Sequence, residues 1–156
     1  MTRPAVRLTL ALTICTVGLA ACGDDDGDDK APATTSGGSG AQKIVIKTRM
    51  NIPTGEIVAG SSIGGAPFCV GGKVRDRSSD DADVGGVDRT VRCPDGTVRI
   101  GFSPQEPQGG MQRGPWKIIS GTGAYQGLQG SGAMQVEFEP GSDTKGRETF
   151  TGTVTR

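Results

Sequence analysis

Histidine is absent from this sequence of 156 residues, and aromatic residues make up only 4% of it. Histidine is the side chain that most often acts as a general base near neutral pH, and it is also the commonest metal ligand. Its absence excludes the hydrolase mechanisms that depend on it. We find no other constellation typical of catalysis, so the sequence predicts no catalytic residue and no cofactor. No metal site is predicted either: solvated positions are the expectation for the aspartates of residues 23–30 and for Asp80, Asp81, Asp83 and Asp88, and cation binding is the alternative.

A strong excess of positive charge is also missing, since 17 basic residues are balanced by 17 acidic ones. Nonspecific binding to nucleic acid depends on several lysine and arginine side chains that contact phosphates together. No segment of the sequence has such a cluster. The sequence therefore predicts no nucleic-acid partner.

Long apolar runs are absent after position 22, so nothing there is long enough to span a bilayer. The first 22 residues differ: Arg3 and Arg7 precede an uncharged stretch from Leu8 to Leu19, and small residues follow it. A charged start, an apolar middle of about a dozen residues and a small-residue cleavage point are typical of a secretory signal. Residues 1–21 are therefore predicted to be a signal peptide.

The end of this segment, Leu19-Ala20-Ala21-Cys22, resembles the lipobox of bacterial lipoproteins. The resemblance implies a mature chain that begins at Cys22 and carries lipid of the diacylglycerol and palmitate type on that cysteine. Two or more acyl chains give stable membrane anchoring, whereas one chain binds only marginally. We expect the protein to be lipid-anchored on the extracytoplasmic side of the cell membrane or outer envelope; the alternative is a plain secretory signal in which Cys22 is incidental.

The segment that follows Cys22 is rich in aspartate and then in glycine, serine and threonine. Such a composition cannot bury enough apolar surface to fold, so it behaves as a flexible tether. We predict a flexible, disordered linker over residues 22–42 and a folded domain over residues 43–156.

Each of the four cysteines is expected to have its own fate. Cys15 lies in the signal peptide and is removed with it, while Cys22 takes the lipid. Export delivers the domain to an oxidising compartment, where the two cysteines that are left, Cys69 and Cys93, are expected to form a disulfide. The alternative, a redox or nucleophilic cysteine, lacks both a CxxC pair and a histidine that would lower the pKa of a thiol.

Apolar and polar residues alternate along three segments of the domain, and this two-residue period is typical of strands with one buried face. The apolar positions are Val98, Ile100 and Phe102; Met134, Val136 and Phe138; and Phe150, Gly152 and Val154. Further strands are predicted at 43–49, 56–61, 68–75, 89–93 and 116–120. With about eight strands, separated by turn sequences rich in proline and glycine, the domain is predicted to be all-β, either a sandwich or a closed barrel.

The segment from Trp116 to Gly132, together with a strand that ends at Phe138 and a last strand from Gly146 to Arg156, resembles the closing section of allene oxide cyclase barrel-like domains. These domains are related in architecture to the dirigent proteins. The segments around Cys69 and Cys93 also resemble secreted bacterial members that carry two such cysteines. The resemblance implies an eight-stranded antiparallel β-barrel over residues 43–156, but no catalytic or pocket residue of the family is matched by a motif here.

Five aromatic residues are the candidates for a ligand pocket or for the barrel interior: Phe102, Trp116, Tyr125, Phe138 and Phe150. Simple core packing is the alternative for each of them. Two glutamates on predicted strands, Glu56 and Glu148, would act as acids or bases if they pointed inward. For both glutamates, outward and solvated positions are the expectation.

These features leave three hypotheses for the domain. The first is a noncatalytic barrel that binds an apolar small molecule or a protein at the cell envelope. The second is a cyclase-like or isomerase-like enzyme that acts on an apolar substrate in the barrel, and it rests on the family resemblance. The third is a structural envelope protein without a ligand.

Overall fold

The computed structural model describes residues 40–156, which are all-β and contain no helix. None of these residues forms a helix with the length and hydropathy needed to cross a bilayer. The predicted signal peptide, Cys22 and the predicted linker up to residue 39 lie outside the described residues. The strands are β1 (Gln42–Asn51), β2 (Thr54–Ile57), β3 (Ser62–Ile63), β4 (Ala66–Pro67), β5 (Lys73–Ser78), β6 (Val87–Cys93), β7 (Gly96–Phe102), β8 (Met111–Gly123), β9 (Gln129–Phe138) and β10 (Lys145–Thr155).

The sheet closes on itself because β1 pairs with β10 along its whole length, from Gln42 opposite Val154 to Asn51 opposite Lys145. Around the wall the order is β1, β2, β5, β6, β7, β8, β9 and β10, and every neighbouring pair is antiparallel. The short β3–β4 hairpin pairs with the first half of β1, next to the half that β2 covers. This arrangement confirms the predicted closed barrel of eight antiparallel strands.

The core lies inside the barrel, where the alternate side chains of each strand meet. Ile44 and Ile46 on β1 and Phe150 and Val154 on β10 are each no more than 2% exposed, while the residues between them on β10 face solvent or are half-buried. Burying one such side chain contributes roughly 1.5–3 kcal/mol. The two-residue period of the sequence is therefore the pattern that places the apolar residues in one interior.

Two predicted strands are interrupted by glycine turns. The predicted strand 56–61 ends at Ile57, and Gly60 takes a φ of +87°. The predicted strand 68–75 begins only at Lys73, because Gly71 takes a φ of +82°. Positive φ values are accessible to glycine but strained for other residues, so the chain turns at these points instead of extending.

The two ends of the barrel differ in how they are closed. At one end, called here the disulfide end, Cys69 and Cys93 form the predicted disulfide, with Cα atoms 5.3 Å apart. The Phe68 ring packs edge-on against the Tyr125 ring there, with centroids 5.5 Å apart. Because β6 and β10 run toward this end and β1 runs away from it, the domain begins and finishes at the disulfide end. The opposite end, where β1, β5, β7 and β9 finish, is called the mouth.

Near the middle of the wall, β9 and β10 approach each other where two glycines meet. Gly132 pairs with Gly152, and a Cβ on either would collide with a carbonyl oxygen of the opposite strand. Trp116 pairs with Gly132 on its other side. Its indole Nε1 donates hydrogen bonds to the carbonyl oxygens of Ala133 and Thr151, at 3.1 and 3.0 Å. The glycines thus allow close packing of the strands, and the one polar atom of the buried indole is satisfied.

Candidate binding site

An arginine lies inside the barrel between two carboxylates. Arg89 on β6 is 1% exposed. Its Nε and Nη2 atoms each donate to one carboxylate oxygen of Asp76 on β5, both at 2.7 Å. Its Nη1 and Nη2 atoms donate to the two carboxylate oxygens of Glu148 on β10, at 2.5 and 3.1 Å. These three residues are called here the buried triad, and the single guanidinium bonds to all four carboxylate oxygens.

Strand register explains how the triad forms. Asp76 and Arg89 are direct partners in the β5–β6 ladder, so their side chains leave the wall side by side on the same face. Arg89 shares its face with Val91, which is completely buried, and Glu148 shares its face with Phe150. The guanidinium then reaches across the interior from β6 to β10.

Two phenylalanine rings enclose the guanidinium. The Arg89 Cζ atom lies 4.8 Å from the centroid of the Phe102 ring and 5.0 Å from that of the Phe150 ring. The two rings also pack edge-to-face on each other, with centroids 5.4 Å apart. A cation over an aromatic face is attracted by the ring quadrupole, by about 2 kcal/mol when the contact is desolvated. The aromatic contacts and the four hydrogen bonds together fix the position of the guanidinium.

With both carboxylates ionised, the buried triad carries one excess negative charge. Burial raises the pKa of Glu148, and the neighbouring Asp76 carboxylate adds to this effect, while Arg89 opposes it. Burial works against the charge of Arg89, but the attraction of Glu148 and Asp76 is larger and raises the pKa of Arg89. Arg89 therefore stays protonated, and Glu148 is the triad member whose charge is least favoured.

A cavity of about 170 Å³ opens at the mouth and ends on the buried triad. Its wall is mostly apolar, and its apolar residues are Ile52, Pro53, Val87, Phe102, Pro104, Met134, Val136 and Phe138. Asp76 and Glu148 line it as well, whereas Arg89 does not. The carboxylates thus face the cavity, and the guanidinium is hidden behind them.

Larger depressions lie on the outer wall of the barrel. One, of about 610 Å³, includes the exposed side chains of Glu56 and Lys73, and another, of about 580 Å³, includes Arg113 and Gln135. These grooves run between solvated side chains on the convex face of the sheet. The mouth cavity is smaller but combines apolar walls with two inward carboxyl groups, and apolar walls with a few polar groups are typical of small-molecule sites. We therefore take the mouth cavity as the candidate site.

The five aromatic candidates are distributed along the whole barrel. Phe102 and Phe138 line the mouth cavity. Phe150 and Trp116 lie in the interior outside the cavity lining, with ring centroids 6.1 Å apart. Tyr125 lies at the disulfide end. The cavity thus brings together two of the five, and the other three belong to the packed interior.

Tyr125 closes the disulfide end by packing across the glycine turn between β8 and β9. Its hydroxyl donates a hydrogen bond to a carboxylate oxygen of Asp95 at 2.8 Å. Burial and this hydrogen bond raise the pKa of Tyr125 to about 12. The phenol is therefore neutral at physiological pH and acts as a donor.

The two glutamates differ in position. Glu56 is solvated as expected, with its side chain 52% exposed and 3.0 Å from the Lys73 ammonium. The outward position expected for Glu148 is wrong, because its side chain is only 4% exposed and binds Arg89 inside the barrel. Sequence reasoning also missed Arg89 and Asp76. The sequence carries one signal for these two residues, which is the two-residue period: Asp76 lies two positions after the buried Val74, and Arg89 lies two positions before the buried Val91.

One further polar group lies next to the triad. Thr48 on β1 is 1% exposed and is the direct partner of Glu148 in the β1–β10 ladder. Its hydroxyl has no hydrogen-bond partner among residues 40–156. A buried hydroxyl left in this state costs about 1–3 kcal/mol.

Within the same residues, no group of three or more acidic or cysteine side chains is close enough to hold a metal ion. Comparison with known proteins adds no relative: no protein-family model matches the chain, and searches of curated proteins and of solved structures find no similar protein.

Proposed function

We propose that this protein is a noncatalytic small-molecule-binding barrel, tethered to the extracytoplasmic side of the cell envelope by lipid on Cys22. The observation that carries the binding function is the mouth cavity, whose apolar wall ends on the carboxylates of Asp76 and Glu148. Apolar walls with a few convergent polar groups are typical of ligand sites. The cavity is large enough for one small ring, since an engineered cavity of about 150 Å³ holds benzene.

The barrel type that we propose is that of the allene oxide cyclase barrel-like domains. The closed antiparallel barrel of eight strands supports this type. So does the glycine-rich connection between β8 and β9, where Gly123 and Gly127 adopt positive φ values of 60° and 76°.

The position of the mouth supports a tethered binding role. The domain begins at Gln42, at the disulfide end, and the cavity opens at the other end of the barrel. A tether that joins the domain at Gln42 is therefore attached at the end opposite the mouth. A ligand can then enter from the side that faces away from the attachment point.

A cyclase-like or isomerase-like enzyme is the second candidate, because an inward carboxyl with a raised pKa, that of Glu148, lines the cavity. A general base must lie within hydrogen-bond reach of the proton that it removes, with a pKa suited to taking it. Arg89 donates hydrogen bonds to both oxygens of Glu148 and opposes the rise in the pKa of this carboxyl, so it stabilises the anion, while each oxygen keeps a lone pair for a ligand. This arrangement favours binding of a ligand over removal of a proton.

Native mass spectrometry of the protein purified from its own host tests the binding function. We expect a small molecule to travel with the wild type and to be lost from a Val136→Trp variant, in which a larger side chain fills the cavity. A Thr149→Trp variant on the outer face is the matched control and should retain the molecule. A wild-type protein that carries nothing and binds no member of a small-molecule library would contradict the proposal.

Cell fractionation tests the anchor separately. We expect a Cys22→Ser variant to move from the membrane to the soluble fraction, because it has no thiol to accept lipid. The Cys15→Ser variant is the control, since Cys15 lies within the predicted signal peptide, and it should stay with the membrane. Membrane retention of the Cys22→Ser variant would refute the anchor.

A further inference from the structure

We propose that the mouth cavity selects small organic cations, meaning amines or ammonium compounds with one apolar ring or a short apolar chain. This inference rests on the proposed function and names the ligand class of the same site. The inner end of the cavity, where Asp76 and Glu148 lie, is called here the floor. The inference follows from the sign of the charge at the floor, from the hydrogen-bonding groups there, and from the size and aromatic content of the cavity lining.

The charge of the buried triad favours a cationic ligand. Two carboxylates and one guanidinium leave the buried triad with one excess negative charge, and the side chains of Asp76 and Glu148 are the members that line the cavity. Arg89 is only 2% exposed in its side chain and is covered by Phe102 and Phe150. A cation at the floor would neutralise the excess charge of a buried group, whereas an anion would add to it.

Hydrogen-bonding capacity leads to the same ligand class. The guanidinium can donate five N–H groups, and its bonds to Asp76 and Glu148 commit those that point toward the carboxylates. Each carboxylate oxygen still has a second lone pair. Because Arg89 itself does not line the cavity, the charged groups exposed at its inner end are the carboxylates of Asp76 and Glu148, which can accept a hydrogen bond from an ammonium N–H and repel a carboxylate or phosphate head.

One positively charged side chain lies at the entrance of the cavity. Arg77 on β5 is among the residues around the cavity. Its side chain is exposed, and it alternates with the inward-facing Asp76 and so leaves the opposite face of the sheet, next to Asp88, its partner on β6. It is therefore solvated and screened, and it does not offset the charge at the buried floor.

The residues that line the cavity limit the size and the character of the apolar part of the ligand. A volume of about 170 Å³ admits one ring or a chain of a few carbons. Phe102 and Phe138 present aromatic surface to the cavity, and a ligand cation near such a surface gains further attraction. The cavity lining and the floor together favour a small amphipathic cation whose charged head binds Glu148 and Asp76.

Calorimetric titration with three probes of equal size tests this inference: benzylamine, benzyl alcohol and benzoate. We expect benzylamine to bind wild-type protein at least about tenfold more tightly than benzyl alcohol, because a charge-assisted hydrogen bond is stronger than a neutral one. Benzoate should bind most weakly. A Glu148→Gln variant should lose the preference for benzylamine, while Glu56→Gln, an exposed glutamate, should keep it.

Each outcome separates the two proposals. Equal affinity for all three probes, with NMR shifts at Phe102 and Phe138, would overturn the cation preference and leave the binding function intact. No binding of any probe would count against both.

If the Glu148→Gln variant fails to fold, the pH dependence of binding to the wild type is decisive. Lowering the pH protonates Glu148, the group that faces Asp76 and Arg89. The affinity for benzylamine should therefore fall, while the affinity for benzyl alcohol stays constant. A flat pH dependence for benzylamine would overturn the cation preference.

Discussion

Arg89 and Glu148 are separated by 59 positions in the chain, and their Nη1 and Oε2 atoms lie 2.5 Å apart inside the barrel. The pair joins β6 to β10, which are not neighbours in the wall. A contact of this kind crosses the interior, so it depends on closure of the whole sheet.

Replacing Arg89 by methionine leaves two carboxylates buried without a counter-charge. We expect the free energy of unfolding to fall by about 3–5 kcal/mol, as for other buried pairs that lose one partner. Urea unfolding followed by circular dichroism measures this loss. The control is Arg99→Met, which breaks a pair with Asp88 in which the arginine side chain is 42% exposed. Exposed pairs contribute about 0–1 kcal/mol, and an equal loss in both variants would contradict the proposed importance of burial.

The pH dependence of stability should reveal the raised pKa of Glu148. Between the ordinary glutamate pKa and the raised one, the folded protein holds a proton that the unfolded chain has lost, so the contribution of this group to stability falls as pH rises through that range. A Glu148→Gln variant has no such proton to lose. We therefore expect the wild-type Tm, relative to that of the variant, to decrease as pH rises through this window. A constant difference between the two Tm values would show that the pKa is not raised.

The disulfide between Cys69 and Cys93 closes a loop with a sequence separation of 24. On the chain-entropy model, such a cross-link stabilises the folded state by about 3 kcal/mol. We expect the Cys69→Ser/Cys93→Ser double variant to lose stability by that order in guanidinium unfolding. A reductant should destabilise the wild type to a similar extent and leave the double variant unchanged; equal sensitivity of both proteins to reductant would argue against the cross-link.

Thr48 offers a test in which stability should increase. Its hydroxyl is buried and has no partner among the described residues, and valine has nearly the same shape without the polar atom. We expect Thr48→Val to raise the free energy of unfolding by about 1 kcal/mol. Thr151→Val, on the exposed face of β10, is the control and should change it by less than about 0.5 kcal/mol. Destabilisation by Thr48→Val would show that the hydroxyl is satisfied in solution.

The architecture was predictable from the sequence because a two-residue period carries its own information. In β10 the alternation of Phe150 and Val154 with threonines specifies which face is buried, and no distant contact is needed to see it. Strand ends were less predictable. Gly60 and Gly71 turn the chain at places where composition alone favours extension, because the sequence shows a glycine without showing its φ.

The buried triad was not predictable for a different physical reason. The period that puts Phe150 inside also puts Glu148 inside, but the cost of burying a lone carboxylate argues for an outward position. That cost disappears only if a partner is present, and the partner, Arg89, comes from a strand far away in sequence. Whether Glu148 points inward or outward is therefore decided by a tertiary contact. Val84, in the loop between β5 and β6, is also buried, although most residues around it in the chain are polar or small.

Both termini of the barrel lie at the disulfide end, where Gln42 pairs with Val154, and the cavity opens at the other end. A probe, an affinity tag or a solid support can therefore be attached at either terminus without covering the mouth. The same barrel could be immobilised on an electrode or a bead with every copy presenting its cavity outward. On the proposed binding function, substitutions at mouth residues such as Phe138 and Met134 change which molecules are bound and leave the attachment unaffected.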